Sequence, residues 1–185
     1  KMKQILAQVE AKPTGIIYLP YLAGSGAPWP DQTTKAAFIG LEKRHGRGDM
    51  LRAILEGTAY EIEAIRQSVE KVVDIPINQI IAVGGGTQNR TWLQVKADVS
   101  GCEYLIPPVT EATLLGAALV AGLGCGAVDS EDIAGMIARQ GQVASKVAPD
   151  RKRHEAYRYW FQKAYLSLQG LLREYYNTLA RERFN

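Results

Sequence analysis

The sequence predicts an α/β domain. Three observations carry this. Short apolar runs bounded by glycine or proline read as strands: Ile16-Ile17-Tyr18-Leu19, Ala37-Phe38-Ile39, Ile80-Ile81-Ala82-Val83 and Glu103-Tyr104-Leu105-Ile106. Longer stretches with apolar residues at steps of three and four read as helices. The two kinds alternate along the chain, which is the pattern of strands and helices wound into one layered domain. The 185 residues, 46% hydrophobic and 22% charged, suffice for one sizeable core.

Residue 1 is Lys, and residues 1–11 already show helical spacing, with Ile5, Leu6 and Val9 on one side. The chain is therefore expected to begin inside or just before a helix, as a fragment or a processed product would. Lys12-Pro13-Thr14-Gly15 breaks that helix, and Pro20 closes the strand that follows. Between Pro20 and Pro30, prolines and glycines forbid regular structure. A loop of this length is either functional or a scaffold loop anchored by Trp29.

Asp49 is placed to cap the longest helix, with Leu51, Ile54, Leu55, Thr58, Ala59, Ile62, Ile65, Val69 and Val72 on its apolar stripe. Glu56, Glu61 and Glu63 read as its charged, solvated face, since no partner group is indicated. Ile75-Pro76 ends it. Glu111 to Ala121 is nearly all apolar and reads as a buried helix, whose alanines and Gly116 admit a close neighbour. Ser130 suits the start of a short helix. Pro149-Asp150 opens the last long one, with Tyr157, Trp160, Phe161, Ala164, Leu168, Leu171, Leu172 and Tyr175 on its apolar side.

The stretch with the clearest chemistry is Ile80 to Val99. A buried strand runs into Gly84-Gly85-Gly86, and a helical pattern begins after Asn89. Glycines let backbone turn sharply and approach a ligand with no Cβ in the way. A helix N-terminus presents free N–H groups and the positive end of its dipole. Together these make an anion site, usually for phosphate. A tight turn without a ligand fits the same pattern. Two commoner phosphate motifs are excluded. Counting from Gly84, the last glycine of G-x-G-x-x-G is replaced by Asn89, which argues against a Rossmann-type dinucleotide binder. No Gly-Lys-Ser/Thr follows Gly86, so this is not a Walker A loop.

The net charge of +3 is too small and too spread to argue for nucleic acid. No apolar run approaches the roughly 18 residues of a membrane span. Cys102 and Cys125 form neither a disulfide framework nor a metal motif, so the reducing cytoplasm is the expected compartment. His45 and His154 each stand alone and read as surface residues.

Ala36-Ala37-Phe38-Ile39-Gly40-Leu41, then seven residues, then Asp49 to Glu56, resembles a signature of the FGGY carbohydrate kinase family. Three further blocks resemble the carboxyl-terminal half of those enzymes, in their order: Leu19 to Gly24 with Ala27-Pro28, the glycines with Asn89, and Glu111-Ala112 with Leu115-Gly116-Ala117-Ala118. The helix from Tyr157 to Tyr176 fits as well. The resemblance implies an actin-like, ribonuclease H-like ATPase fold, a mixed sheet with flanking helices. Residues 1–177 would be its carboxyl-terminal domain and 178–185 a frayed tail.

The resemblance also implies function. Gly84, Gly85 and Gly86 would approach ATP, and Asn89 would lie beside the adenine, where an amide offers both a donor and an acceptor. The chain would be the ATP-binding half of a sugar or polyol kinase using ATP and Mg2+, with a ketopentose-type substrate favoured. Its partners would be that small molecule and its own amino-terminal domain, with a homodimer left open and neither nucleic acid nor membrane involved. The general-base Asp lies upstream in the family, so no catalytic residue and no metal ligand is assigned here, and the chain alone is expected to be inactive. One departure bears on substrate: many sugar kinases carry Gly-Glu-Arg where this chain has Gly24-Ser25-Gly26, a form closer to glycerol kinases. The alternative is a non-catalytic nucleotide-binding or interaction module of the same fold.

Overall fold

The computed structural model describes residues 2–6, 9–109, 111–140 and 143–182. In chain order the elements are α1 (Met2–Leu6), β1 (Ile17–Leu19), β2 (Ala37–Ile39), α2 (Arg47–Val73), β3 (Gln79–Ile81), a 3-10 turn (Gly85–Gln88), α3 (Arg90–Ser100), β4 (Glu103–Ile106), α4 (Ala112–Gly124), α5 (Ser130–Gln140), β5 (Ser145–Val147), α6 (Arg151–Trp160) and α7 (Leu166–Glu182). A π-helical turn, Phe161–Tyr165, joins α6 to α7, so the closing helix is continuous but locally underwound by one extra residue in that turn. Of the helix expected over 1–11, residues 2–6 are helical, and residues 7 and 8 lie outside the described residues. α7 is helical through Glu182, and residues 183–185 of the expected tail lie outside the described residues.

The strands form two small sheets. β1 and β2 are antiparallel, with Ile17 opposite Ile39. In the second sheet β4 is central, parallel to β3 and antiparallel to β5, with Ile80 opposite Tyr104 and Tyr104 opposite Val147. β3 is therefore an edge strand. Ile81 is 70% exposed and Val83 47%, which corrects the buried strand expected over Ile80–Val83. Apolar composition alone does not distinguish a central strand from an edge.

α2 is the spine against which β1 and α3 pack, and α3 in turn packs on α6. Its approach to β1 explains a glycine in mid-helix: a Cβ at Gly57 would lie 2.2 Å from the Tyr18 carbonyl oxygen. Ile17, Leu19, Tyr60, Val95, Val99, Tyr157, Phe161 and Tyr165 form the main core. Leu93, Ala97, Cys102, Tyr104, Ile106 and Val147 form a second one under the β3–β4–β5 sheet. α2 starts three residues earlier than expected. Gly46 is the N-cap, and Asp49, at the third helical position, accepts the Gly46 N–H at 2.8 Å. Asp49 thus closes the first turn from inside the helix, where a carboxylate also meets the positive dipole end.

Two readings of helix faces are overturned. Glu56 and Glu63 are not on a solvated face; they are 1% and 4% exposed. Glu56 accepts the Thr14 hydroxyl at 2.7 Å, Arg52 Nε at 3.2 Å and the Tyr157 hydroxyl at 3.0 Å. Burial pushes its carboxyl up, against the pull of Thr14, Arg52 and Tyr157. Glu63 pairs with Arg66 at 2.7 Å, and Glu61 accepts hydroxyls from Tyr21 and Tyr165 at 2.9 and 2.5 Å. Conversely α4, expected to be buried, has no buried residue, and Leu114 and Val120 are 67% and 71% exposed. Its apolar surface calls for a cover that the described residues do not supply. Among the described residues no helix is long and apolar enough to cross a membrane.

Candidate functional site

The site is built by the chain reversal between β3 and α3. Ala82 donates its N–H to the Leu105 carbonyl at 2.8 Å, extending the pairing with β4 by one residue beyond β3. The chain then leaves the sheet at Gly84, with φ 84° and ψ 177°, a conformation open essentially to glycine alone. The Gly84 carbonyl accepts both the N–H and the hydroxyl of Thr87, at 3.1 and 2.8 Å, which winds Gly85–Gln88 into the 3-10 turn. Asn89 follows as the N-cap of α3, its Oδ1 accepting the Trp92 N–H at 3.2 Å.

The three glycines are not equivalent. A Cβ at Gly84 or Gly85 would meet nothing within 4 Å, and Gly85 is exposed. A Cβ at Gly86 would meet Trp92 Cζ3 at 3.3 Å. One side of the turn is thus open and the other rests on an indole ring. α3 begins directly after this turn, and of the first-turn N–H groups that lack helical partners, that of Trp92 is taken by Asn89. The four residues singled out in the sequence, Gly84, Gly85, Gly86 and Asn89, are brought together here. Asn89 spends Oδ1 on the cap and keeps its NH2 group for a further acceptor.

The sequence did not mark Trp92, although its place three residues past the N-cap puts it beneath the turn. A concavity of about 670 Å3 lies elsewhere, between Gln32, Thr33 and Lys35 of the loop and Tyr176, Leu179 and Ala180 of α7. The 20–36 loop is held from both sides. Trp29 packs on the main core, and Asp31 accepts hydrogen bonds from Thr33, Thr34 and Asn177. Among the described residues no group of three His, Cys, Asp or Glu side chains could hold a metal ion.

Residues 1–125 match the profile of the FGGY family of carbohydrate kinases, C-terminal domain. The chain belongs to the FGGY family. A glycerol kinase of Thermus brockianus is 32% identical over 146 residues, 79% of this chain and 29% of that kinase. A xylulose kinase of Bacillus subtilis is 32% identical over 133 residues, 69% of this chain and 26% of that kinase. The crystal structure of Plasmodium falciparum glycerol kinase with ADP superposes with a TM-score of 0.68 at 27% identity, covering 88% of this chain and 32% of the kinase. The fold is thus the actin-like ATPase fold of FGGY kinases, in its carboxyl-terminal domain. The chain spans 29% and 26% of the length of these two curated relatives.

Proposed function

We propose that this chain is the ATP-binding wall of a sugar or polyol kinase. The observation that carries the reading is the glycine turn, with two Cβ positions opening on empty space beside a helix N-terminus. Backbone at Gly84 and Gly85 can lie flat against phosphate oxygens, and the α3 N–H groups and dipole favour the negative charge. Asn89 NH2 faces the base edge while Oδ1 keeps the helix start fixed.

In the complete enzyme the γ-phosphoryl group passes in line to a substrate hydroxyl oxygen. The P–O bond to ADP breaks as the new one forms, and the hydroxyl proton goes to a base on the other domain. Mg2+ supplies charge neutralisation on the phosphates when bound. The residues of this chain contribute positioning and electrostatics, the principal terms in phosphoryl transfer. The exposed apolar surface of α4 is the face we assign to the amino-terminal domain, because no described element covers it. The unpaired Cys102 and Cys125 suit a reducing cytoplasm.

For substrate, the matches to glycerol and xylulose kinases support a polyol or ketose carrying a primary or secondary hydroxyl, with ketopentose as the first candidate. The test is phosphorylation by the complete protein of a panel that includes glycerol, xylulose and gluconate, with ADP formation as readout. ADP release dependent on one of them is expected. ATP binding without phosphoryl transfer to any acceptor would favour a non-catalytic module instead.

A further inference from the structure

The underside of the glycine turn carries an arrangement that nucleotide contact alone does not explain. Trp92 is only half-buried, yet three of its sides are specified. Its ring edge supports Gly86, whose Cβ would approach Cζ3 to 3.3 Å. Its indole N–H donates to Thr58 Oγ1 on α2 at 3.1 Å. The ammonium of Lys96 lies 3.8 Å from its ring centroid. Thr58 is itself fixed, because its hydroxyl lies 3.0 Å from both the Ile54 and the Leu55 carbonyl oxygens. A core filler needs none of this; a leucine would pack as well without an N–H to satisfy.

We propose that Trp92 is a positioning residue for the nucleotide, transmitting the position of α2 through Thr58 to the Gly86 side of the turn. The inference rests on the kinase reading above. A Cβ at Gly84 or Gly85 would meet nothing within 4 Å, whereas one at Gly86 would meet Trp92, so the contact through which α2 and Thr58 can bear on the turn lies at Gly86 on Trp92. Lys96 adds to this. Helical side chains lean toward the N-terminus, so Lys96 reaches back over the residue four positions earlier and brings its charge to the end of α3 where the turn lies. The ammonium holds the ring by a cation–π contact and raises the potential felt by a polyanion on the turn. Burial lowers its proton affinity, a cost of desolvation that the contact with the ring offsets.

The experiment uses the complete protein with 5-fluorotryptophan incorporated, the Trp92 resonance being assigned by its loss in Trp92→Phe. Addition of ADP is expected to shift that resonance in the wild type. Thr58→Val keeps the shape of the threonine but removes the acceptor. It and Trp92→Phe should each raise the apparent KM for ATP by about three- to tenfold, the worth of one hydrogen bond, with the KM for the second substrate within about twofold. A lowered Tm with unchanged KM for ATP in both variants would make Trp92 a packing residue and overturn the inference alone. A wild-type protein that neither binds ADP nor transfers phosphate would overturn the kinase reading, and this inference with it.

Discussion

Asn89 caps α3 by accepting the Trp92 N–H at 3.2 Å, and the cap uses its Oδ1, not its amide NH2. Capping and base recognition therefore use different atoms of one side chain, and substitution can separate them. Serine caps as well as asparagine but is too short to reach a base. Asn89→Ser in the complete protein should keep its Tm, weaken ATP by about three- to tenfold and narrow the preference for ATP over GTP. Asn89→Ala should do the same to nucleotide and also lose about 1 kcal/mol of stability. Competition binding with ATP and GTP beside thermal melts checks both. An Asn89→Ser variant with unchanged ATP and GTP affinities would reduce Asn89 to a cap.

Gly84 should prove intolerant for a reason unrelated to ligand. At φ 84° and ψ 177° an alanine is strained by about 1–3 kcal/mol whatever space surrounds it. Gly84→Ala is expected to lower the Tm of the nucleotide-free protein, measured by calorimetry. An unchanged Tm would mean that the turn can relax to another conformation.

The 185-residue chain by itself should show no sugar-dependent ADP release and should self-associate. The motive is α4, whose Leu114 and Val120 are 67% and 71% exposed on a helix with no buried residue. Exposed apolar patches of this kind are interaction surfaces or aggregation liabilities. Sedimentation velocity over a concentration series should show mass above one chain, reduced by Leu114→Lys with Val120→Lys. A strictly monomeric chain at every concentration would remove α4 as a docking face.

Acid should release the 20–36 loop before the core. Burial raises the Asp31 carboxyl, but hydrogen bonds from Thr33, Thr34 and Asn177 outweigh it and hold the group well below the ordinary carboxylate range. A carboxylate depressed on folding stabilises above its unfolded pKa, roughly 4, and that contribution fades as pH falls toward the folded value. Hydrogen exchange at Thr33, whose N–H donates to Asp31 at 2.8 Å, should lose protection below about pH 4 once intrinsic rates are corrected. Asp31→Asn should expose the same amide at neutral pH. Protection unaffected by that substitution would show that Trp29 alone holds the loop.

What was legible in the sequence was local. The strand, glycine turn and helix are contiguous residues, so the turn could be read directly. The buried carboxylates could not. Glu56 is stabilised by Thr14 and Tyr157, which lie 42 and 101 positions away, and a carboxylate on a helix looks solvated until such partners are seen. Trp92 went unmarked for the same reason, since its acceptor Thr58 is 34 positions upstream. The edge position of β3 and the exposure of α4 share another cause. Apolar composition states that a surface favours cover, but not what covers it.

The measurement that bears most directly on nucleotide binding at this turn is the steady-state kinetics of Gly85→Val in the complete protein. Gly85 lacks a positive φ, and a Cβ there meets nothing within 4 Å, so the variant should fold and melt as the wild type does. With ATP on the turn, the valine occupies space that phosphate needs. The apparent KM for ATP should then rise at least tenfold, about 1.4 kcal/mol, while that for the sugar or polyol stays within about twofold. An unchanged dependence on ATP would contradict the assignment and take the glycine turn out of the nucleotide site.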